Sequence, residues 1–228
     1  MISMRNVSKC YPNGSNALEN VNIEIKKGEF VFVVGPSGAG KSTFIKMIFR
    51  EELPSEGSLV VNGRNVTEMT LKDVPYLRRG LGIIFQDYRL LQDKTVYENV
   101  AFAMQVVEAP RREMQKRVNT VLDLVGLKDK VKSFPTQLSG GEQQRVAIAR
   151  AIVNNPMVVI ADEPTGNLDP ETSWDIMKIF DRINKDGTTI VMATHDKSIV
   201  DTMKKRVIAI ENGRIIRDEA RGVYGYED

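Results

Sequence analysis

The sequence predicts an α/β fold: a mainly parallel sheet with an α-helical subdomain inserted into it. Three features carry that reading. Short β-branched runs alternate with helix-like segments, the pattern of strands joined by crossover helices. Three of these runs, Gly82–Phe85, Met157–Ala161 and Thr188–Ala193, are nearly all apolar, as strands buried on both faces are. Between about Tyr88 and Asn155 the strand signals stop and helical spacing takes over.

Size and charge bound the rest. A chain of 228 residues with 42% hydrophobic content can bury one substantial core, or one core carrying a small insertion. Lysine and arginine number 32 against 30 acidic residues, and a net charge of +2 gives no broad field for a nucleic-acid backbone. The local basic run of Arg111, Arg112, Lys116 and Arg117 reads as a solvated helix face. With one cysteine, Cys10, and one histidine, the chain can form neither an intramolecular disulfide nor a Cys/His metal cluster, which fits a reducing compartment. No apolar run approaches the roughly 20 residues that span a bilayer, and Met1 to Tyr11 lacks the apolar stretch of a signal peptide. The expectation is a soluble, cytoplasmic chain that reaches a membrane only through a partner.

The elements follow in order. Strands are expected at Phe30–Val34, Ser58–Asn62, Gly82–Phe85, Met157–Ala161, Thr188–Ala193 and Val207–Glu211. Helical spacing marks Ser42–Arg50, Val96–Val107, Arg112–Val125 and Gly141–Val153. Arg221–Asp228, with two glycines and two terminal acids, suggests a loose tail.

Chemistry concentrates first at Gly35-Pro36-Ser37-Gly38-Ala39-Gly40-Lys41-Ser42, which fits G-x-x-x-x-G-K-[ST] and sits between a strand and a helix. Glycines let the backbone wrap phosphates closely, and successive N–H groups and the helix N-terminus attract anionic oxygens. Lys41 is placed to bridge the β- and γ-phosphates and Ser42 to offer a hydroxyl to Mg²⁺, with Thr43 next in the cradle. Strand Met157–Ala161 delivers a second pair, Asp162 and Glu163, to the sheet edge where open α/β folds bind ligands. Asp162 can hold Mg²⁺. Glu163 can orient the attacking water, because a loose phosphoryl-transfer transition state needs positioning more than strong base chemistry.

With these motifs in place, Leu138-Ser139-Gly140-Gly141-Glu142-Gln143 resembles the signature of the ATP-binding cassette family, and the other motifs follow in that family's order over nearly the whole chain. The resemblance implies a P-loop, RecA-like nucleotide-binding core at 1–87 and 156–228, including an antiparallel β part, with the inserted helical subdomain at 88–155. It implies a Mg²⁺-dependent ATPase. Ser139 and Glu142 also read as a capping box at the start of a helix, leaving N–H groups and a positive dipole end open to an anion. In the family that anion is the γ-phosphate held by the opposite subunit, so Ser139, Gly140 and Gly141 are expected to complete a partner's ATP site in a homodimer. Gln86 matches the glutamine that links Mg²⁺ and attacking water to the helical subdomain. His195 stands where the family places a γ-phosphate contact. Gly166-Asn-Leu-Asp169 matches the loop that crosses the dimer interface, while Asp169 before Pro170 equally reads as a helix N-cap. Tyr11 fits the aromatic that stacks on adenine, with Ala17 beside it.

Within the family, Ala161-Asp-Glu-Pro-Thr-Gly-Asn-Leu-Asp169 is similar to the branch serving cell-division, lipoprotein-releasing and macrolide-export complexes. Tyr76-Leu-Arg-Arg79, Phe85-Gln-Asp-Tyr-Arg-Leu-Leu91, Thr95-Val-Tyr-Glu-Asn-Val100, Ile152-Val-Asn-Asn-Pro156 and Thr172-Ser-Trp-Asp-Ile-Met177 are similar to the bacterial cell-division ATPases. That resemblance implies an integral membrane partner resembling FtsX, attachment to the inner face of the cell membrane through it, and an indirect link to an extracellular peptidoglycan hydrolase. An ATPase of the lipoprotein-release or macrolide-export type is the alternative. Tyr88, Leu90, Leu91, Val96, Tyr97 and Val100 are candidates either for a groove that receives the partner or for the subdomain's own core.

Overall fold

The computed structural model describes residues 1–225. Strands β1 (Ile2–Cys10) and β2 (Asn16–Ile25) form an antiparallel pair. Strand β3 (Phe30–Val34) runs into helix α1 (Lys41–Ile48) through the glycine-rich loop. Strands β4 (Glu56–Val61) and β5 (Arg64–Asn65) join the first two in an antiparallel sheet of order β2-β1-β4-β5. Then come α2 (Val74–Arg78), β6 (Leu81–Ile84), and three helices, α3 (Val96–Gln105), α4 (Arg111–Leu124) and α5 (Gly140–Ile152). The chain continues through β7 (Val158–Asp162), α6 (Pro170–Lys185), β8 (Thr189–Ala193), α7 (Lys197–Met203), β9 (Arg206–Glu211) and β10 (Arg214–Glu219). The second sheet has the order β10-β9-β3-β8-β7-β6, and every pairing in it is parallel except β9 with β10.

The apolar strands explain the layering. Side chains alternate across a strand, so Phe30, Phe32 and Val34 of β3 join one core while Val31 and Val33 join another. Strands β7, β8 and β9 divide the same way: Val159, Ile190 and Val207 face one side, Ile160, Val191 and Ile208 the other. One face meets α1 and the antiparallel sheet through Phe44, Ile48, Met4 and Ile25. The opposite face meets α6 through Ile176 and Phe180, and that core continues into Val96, Val118, Val121 and Val146 of the three-helix segment. Leu90, Val96 and Val100 are therefore interior, with Tyr88 and Tyr97 packed against them, so these candidates for a partner groove mostly fill the core.

Four departures from the sequence reading have physical causes. Strands β1 and β2 were not expected, because register shifts accompany left-handed Asn6 and Asn20 (φ 50° each) and break the period-two alternation in both. Strand β10 is a mostly exposed edge with a polar C-terminal half. Residues 221–225 are anchored: the Gly222 amide donates to the Lys205 carbonyl at 3.1 Å and the Tyr224 amide to Asp201 at 2.6 Å. The Arg217 guanidinium donates to the carbonyls of Val223 and Tyr224. The remainder of the expected loose tail, 226–228, lies outside the described residues. In the basic run, Arg111, Arg112 and Lys116 are solvated, whereas Arg117 turns back to donate to the carbonyls of Ile152 and Val153 at the end of α5.

Candidate nucleotide site

At the end of β3 the chain turns around α1 too tightly for ordinary residues at two points. A Cβ at Gly35 (φ 145°) would lie 2.1 Å from the Ile210 carbonyl oxygen, and one at Gly40 (φ 110°) 2.4 Å from the Ala17 carbonyl oxygen. The loop is thus pressed against β9 and the start of β2, and only glycine permits it. No side chain caps α1, so the N–H groups of its first turn remain for a ligand. Lys41 is buried, 8% exposed, and its Nζ donates to the carbonyls of Gly35 at 2.8 Å and Pro36 at 2.9 Å. Among the described residues it forms no ion pair, which leaves its charge for an anion in the loop.

The loop opens onto a cavity of about 570 Å³, lined by Tyr11, Ala17, Ser37, Gly38, Gly40, Lys41, Ser42, Thr43, Glu163 and His195. Gly35, Pro36 and Ala39 form the turn without lining the cavity. The Tyr11 hydroxyl and Thr43 Oγ1 are 3.2 Å apart, which fixes the ring at the cavity mouth, and Lys9 Nζ lies 4.9 Å from the ring centre. His195 Nδ1 and Glu163 Oε2 are 2.9 Å apart. Glu163 takes a left-handed backbone (φ 48°), and its amide donates to the Ala193 carbonyl at 2.9 Å. That conformation turns the carboxylate out of β7 toward the residue two positions beyond β8.

Asp162 and Gln86 line a second cavity, of about 400 Å³, on the other side of Ser42, which borders both. Burial, and next the charge of Glu163, push the Asp162 carboxyl above its ordinary value, against the pull of the Ser42 hydroxyl, Lys46 and Lys41. The Gln86 amide faces Gly166, where a Cβ would lie 3.1 Å from Gln86 Nε2 and 3.5 Å from Glu163 Oε2. Asn167 Nδ2 donates to the Gln86 carbonyl at 3.3 Å. Among the described residues no three His, Cys, Asp or Glu side chains cluster to hold a metal. A Mg²⁺ completed by phosphate oxygens needs only one or two protein donors, and the oxygen-bearing Ser42, Asp162 and Gln86 around one small cavity fit that requirement.

Ser139, Gly140 and Gly141 line neither cavity. Ser139 caps α5: its hydroxyl accepts from the Glu142 amide at 3.2 Å, and the Ser139 amide donates to Glu142 at 2.9 Å. A Cβ on Gly141 would strike the Thr172 methyl group at 2.4 Å, so α5 can approach α6 closely only with glycine there. Asp169 caps α6, accepting from the Thr172 amide at 2.9 Å. Sequence reasoning missed Ser15 and Asn16, which line the larger cavity, and Lys46 beside Asp162. The signal for Lys46 was its spacing: it stands four residues after Ser42, on the same face of α1.

A parallel sheet whose phosphate loop, acidic strand end and histidine share one cavity defines a nucleotide-binding cassette. The profile described as ABC transporter matches residues 18–166. A solved structure of the ATP-binding cassette MJ0796, dimeric in a post-hydrolysis state bound to ADP and Pi, is similar with a TM-score of 0.87 at 36% identity, covering 99% of this chain and 100% of that one. Cell division ATP-binding protein FtsE of Bacillus subtilis (strain 168) is 61% identical over 228 residues, 100% of both chains. The same-named protein of Streptococcus pneumoniae (strain ATCC BAA-255 / R6) is 61% identical over 228 residues, covering 100% of this chain and 99% of that one. The chain belongs to the ABC transporter ATPase family, in its FtsE branch. It binds and hydrolyses ATP.

Proposed function

We propose that the chain is the ATPase subunit of a membrane-associated FtsEX-type complex in bacterial cell division, in which ATP cycles signal to cell-wall hydrolases. The convergence of Lys41, Ser42, Glu163 and His195 on one cavity, in a chain 61% identical to FtsE proteins, carries this reading.

ATP enters with its base against Tyr11 and Ala17 and its phosphates on the Gly35–Thr43 loop. Lys41 exchanges the Gly35 and Pro36 carbonyls for β- and γ-phosphate oxygens, a stronger charge-assisted contact. Ser42, Asp162 and Gln86 would hold a Mg²⁺, and the ion would supply charge neutralisation for the phosphoryl group being transferred. Glu163 orients the attacking water. His195, held by the 2.9 Å contact between its Nδ1 and Glu163 Oε2, presents its other ring nitrogen to the γ-phosphate. Ser139, Gly140 and Gly141 of a second copy close the site over the γ-phosphate, making the homodimer the working unit. The helices of 88–155 act as a subdomain that links this closure to an FtsX-like membrane protein at the inner face of the membrane, and through it to an extracellular peptidoglycan hydrolase.

Replacing Lys41 with Ala should abolish ATP binding, and Glu163→Gln should slow hydrolysis about a hundredfold or more while ATP-loaded dimers persist. Nucleotide titration and turnover of the purified variants decide this. Normal affinity in the first or near-normal turnover in the second overturns the assignments. Purification from membranes tests the wider role: recovery of a lipoprotein-handling or export subunit in place of an FtsX-like protein would overturn it.

A further inference from the structure

The loop that follows Gln86 contains two consecutive non-glycine residues in the left-handed region, Tyr88 (φ 58°) and Arg89 (φ 47°). Such a pair is strained and persists only where its surroundings over-determine it. The carbonyls of both residues are held by one side chain from another element: Arg150 of α5 donates from Nη2 to the Tyr88 oxygen at 2.7 Å and from Nη1 to the Arg89 oxygen at 2.6 Å. Among the described residues the Arg150 guanidinium has no carboxylate partner. Its two short bonds to successive carbonyls are therefore its structural role, and a planar fork matches that geometry as an ammonium does not.

The same loop is fixed at three further points. The Tyr88 hydroxyl lies against the start of α5, where a Cβ on Gly140 would be 3.2 Å from it. Arg89 stacks 3.7 Å from the centre of the Phe85 ring. Asn167 holds the Gln86 carbonyl. Helix α5 thus carries at its N-terminus the residues assigned to the second copy's phosphates and, three turns on, the clamp on the loop that presents Gln86 to this chain's own site.

We propose that Arg150 is a positioning residue that locks the Gln86 loop to α5, so that the two half-sites served by one chain move as a single body when the dimer closes. This rests on the site reading above. Arg117 supplies a matched comparison, because it also donates to carbonyls at α5, those of Ile152 and Val153, but touches neither the loop nor either cavity.

The test uses the purified full chain with Arg150→Met, Arg150→Lys, Arg117→Met and Lys41→Ala. It measures ATP affinity with a fluorescent ATP analogue, kcat and KM for ATP, melting temperature, and the rate of tryptic cleavage at Arg89–Leu90 by mass spectrometry. Arg150→Met should lower kcat at least tenfold with ATP affinity within twofold of the parent and should speed cleavage at Arg89–Leu90. Arg150→Lys should fall between the two. Arg117→Met should lower the melting temperature while leaving kcat and that cleavage unchanged. If Arg150→Met does not fold, Arg150→Lys carries the comparison. Unchanged kcat and cleavage in the Arg150 variants, or a loss of kcat that tracks melting temperature equally in the Arg117 variant, would overturn the clamp. Failure of the site reading shows separately, as ATP affinity retained in Lys41→Ala.

Discussion

Asp162 ends a strand that is otherwise buried, and desolvation lifts its carboxyl above the ordinary range. The charge is useful to a bound cation and costly without one. At neutral pH Asp162 is ionised in the unfolded chain, whereas the ligand-free native state disfavours the ionised form, so this group opposes folding there. As pH falls through the raised native value toward the ordinary carboxylate value, the native group takes up its proton first and that penalty fades. Asp162→Asn should therefore raise the melting temperature of the nucleotide-free protein at neutral pH by roughly 2–4 °C. The gain should shrink on acidification, and Mg²⁺-dependent turnover should be lost. Calorimetry across pH checks the sign: a gain that grows toward acid would show that burial does not dominate at this carboxylate. Lys41 and Ser42 were legible from their motif alone, but the desolvation of Asp162 was not, because it depends on which strands flank β7.

Two helices begin with the same device. Thr95 and Glu98 form a capping box at the start of α3, with the Thr95 amide donating to Glu98 at 2.8 Å, and Ser139 and Glu142 form one at α5. A lost N-cap costs about 1 kcal/mol in either place. Thr95→Ala and Ser139→Ala should accordingly lower unfolding free energy by similar amounts, while only Ser139→Ala loses ATP turnover. Denaturant titration with parallel ATPase assays separates the two effects; equal losses of turnover would reduce the Ser139 box to a stability feature. The Ser139–Glu142 box is a local pattern that the sequence displays openly. Strands β1 and β2 are not, since Asn6 and Asn20 shift the alternation and the pairing partners lie elsewhere in the chain.

Across the whole molecule, Lys41 lines a cavity that Ser139 and Gly141 do not reach. If the active unit is a pair of chains, a Lys41→Ala chain still offers an intact Ser139 to its neighbour, and a Ser139→Ala chain still holds ATP. Each variant alone should be inactive. Mixed in equal amounts and paired at random, they should recover about a quarter of wild-type turnover, one working site in each mixed dimer. A mixture as inactive as its components would sink the shared-site arrangement.

The phosphate loop, the acidic pair, the signature and the two-faced burial of the central strands are all written in short stretches of the chain. Each depends on contiguous residues whose spacing follows backbone geometry. Packing between distant segments sets how the helical segment shares one core with the sheet, which side of Ser42 receives Gln86, and where Glu163 points. It also closes Arg150 on a strained loop 61 and 62 residues away in sequence. Hydrogen bonds between distant segments, the depth at which a charge is buried and the space around a glycine follow from packing, and no local pattern along the chain encodes them.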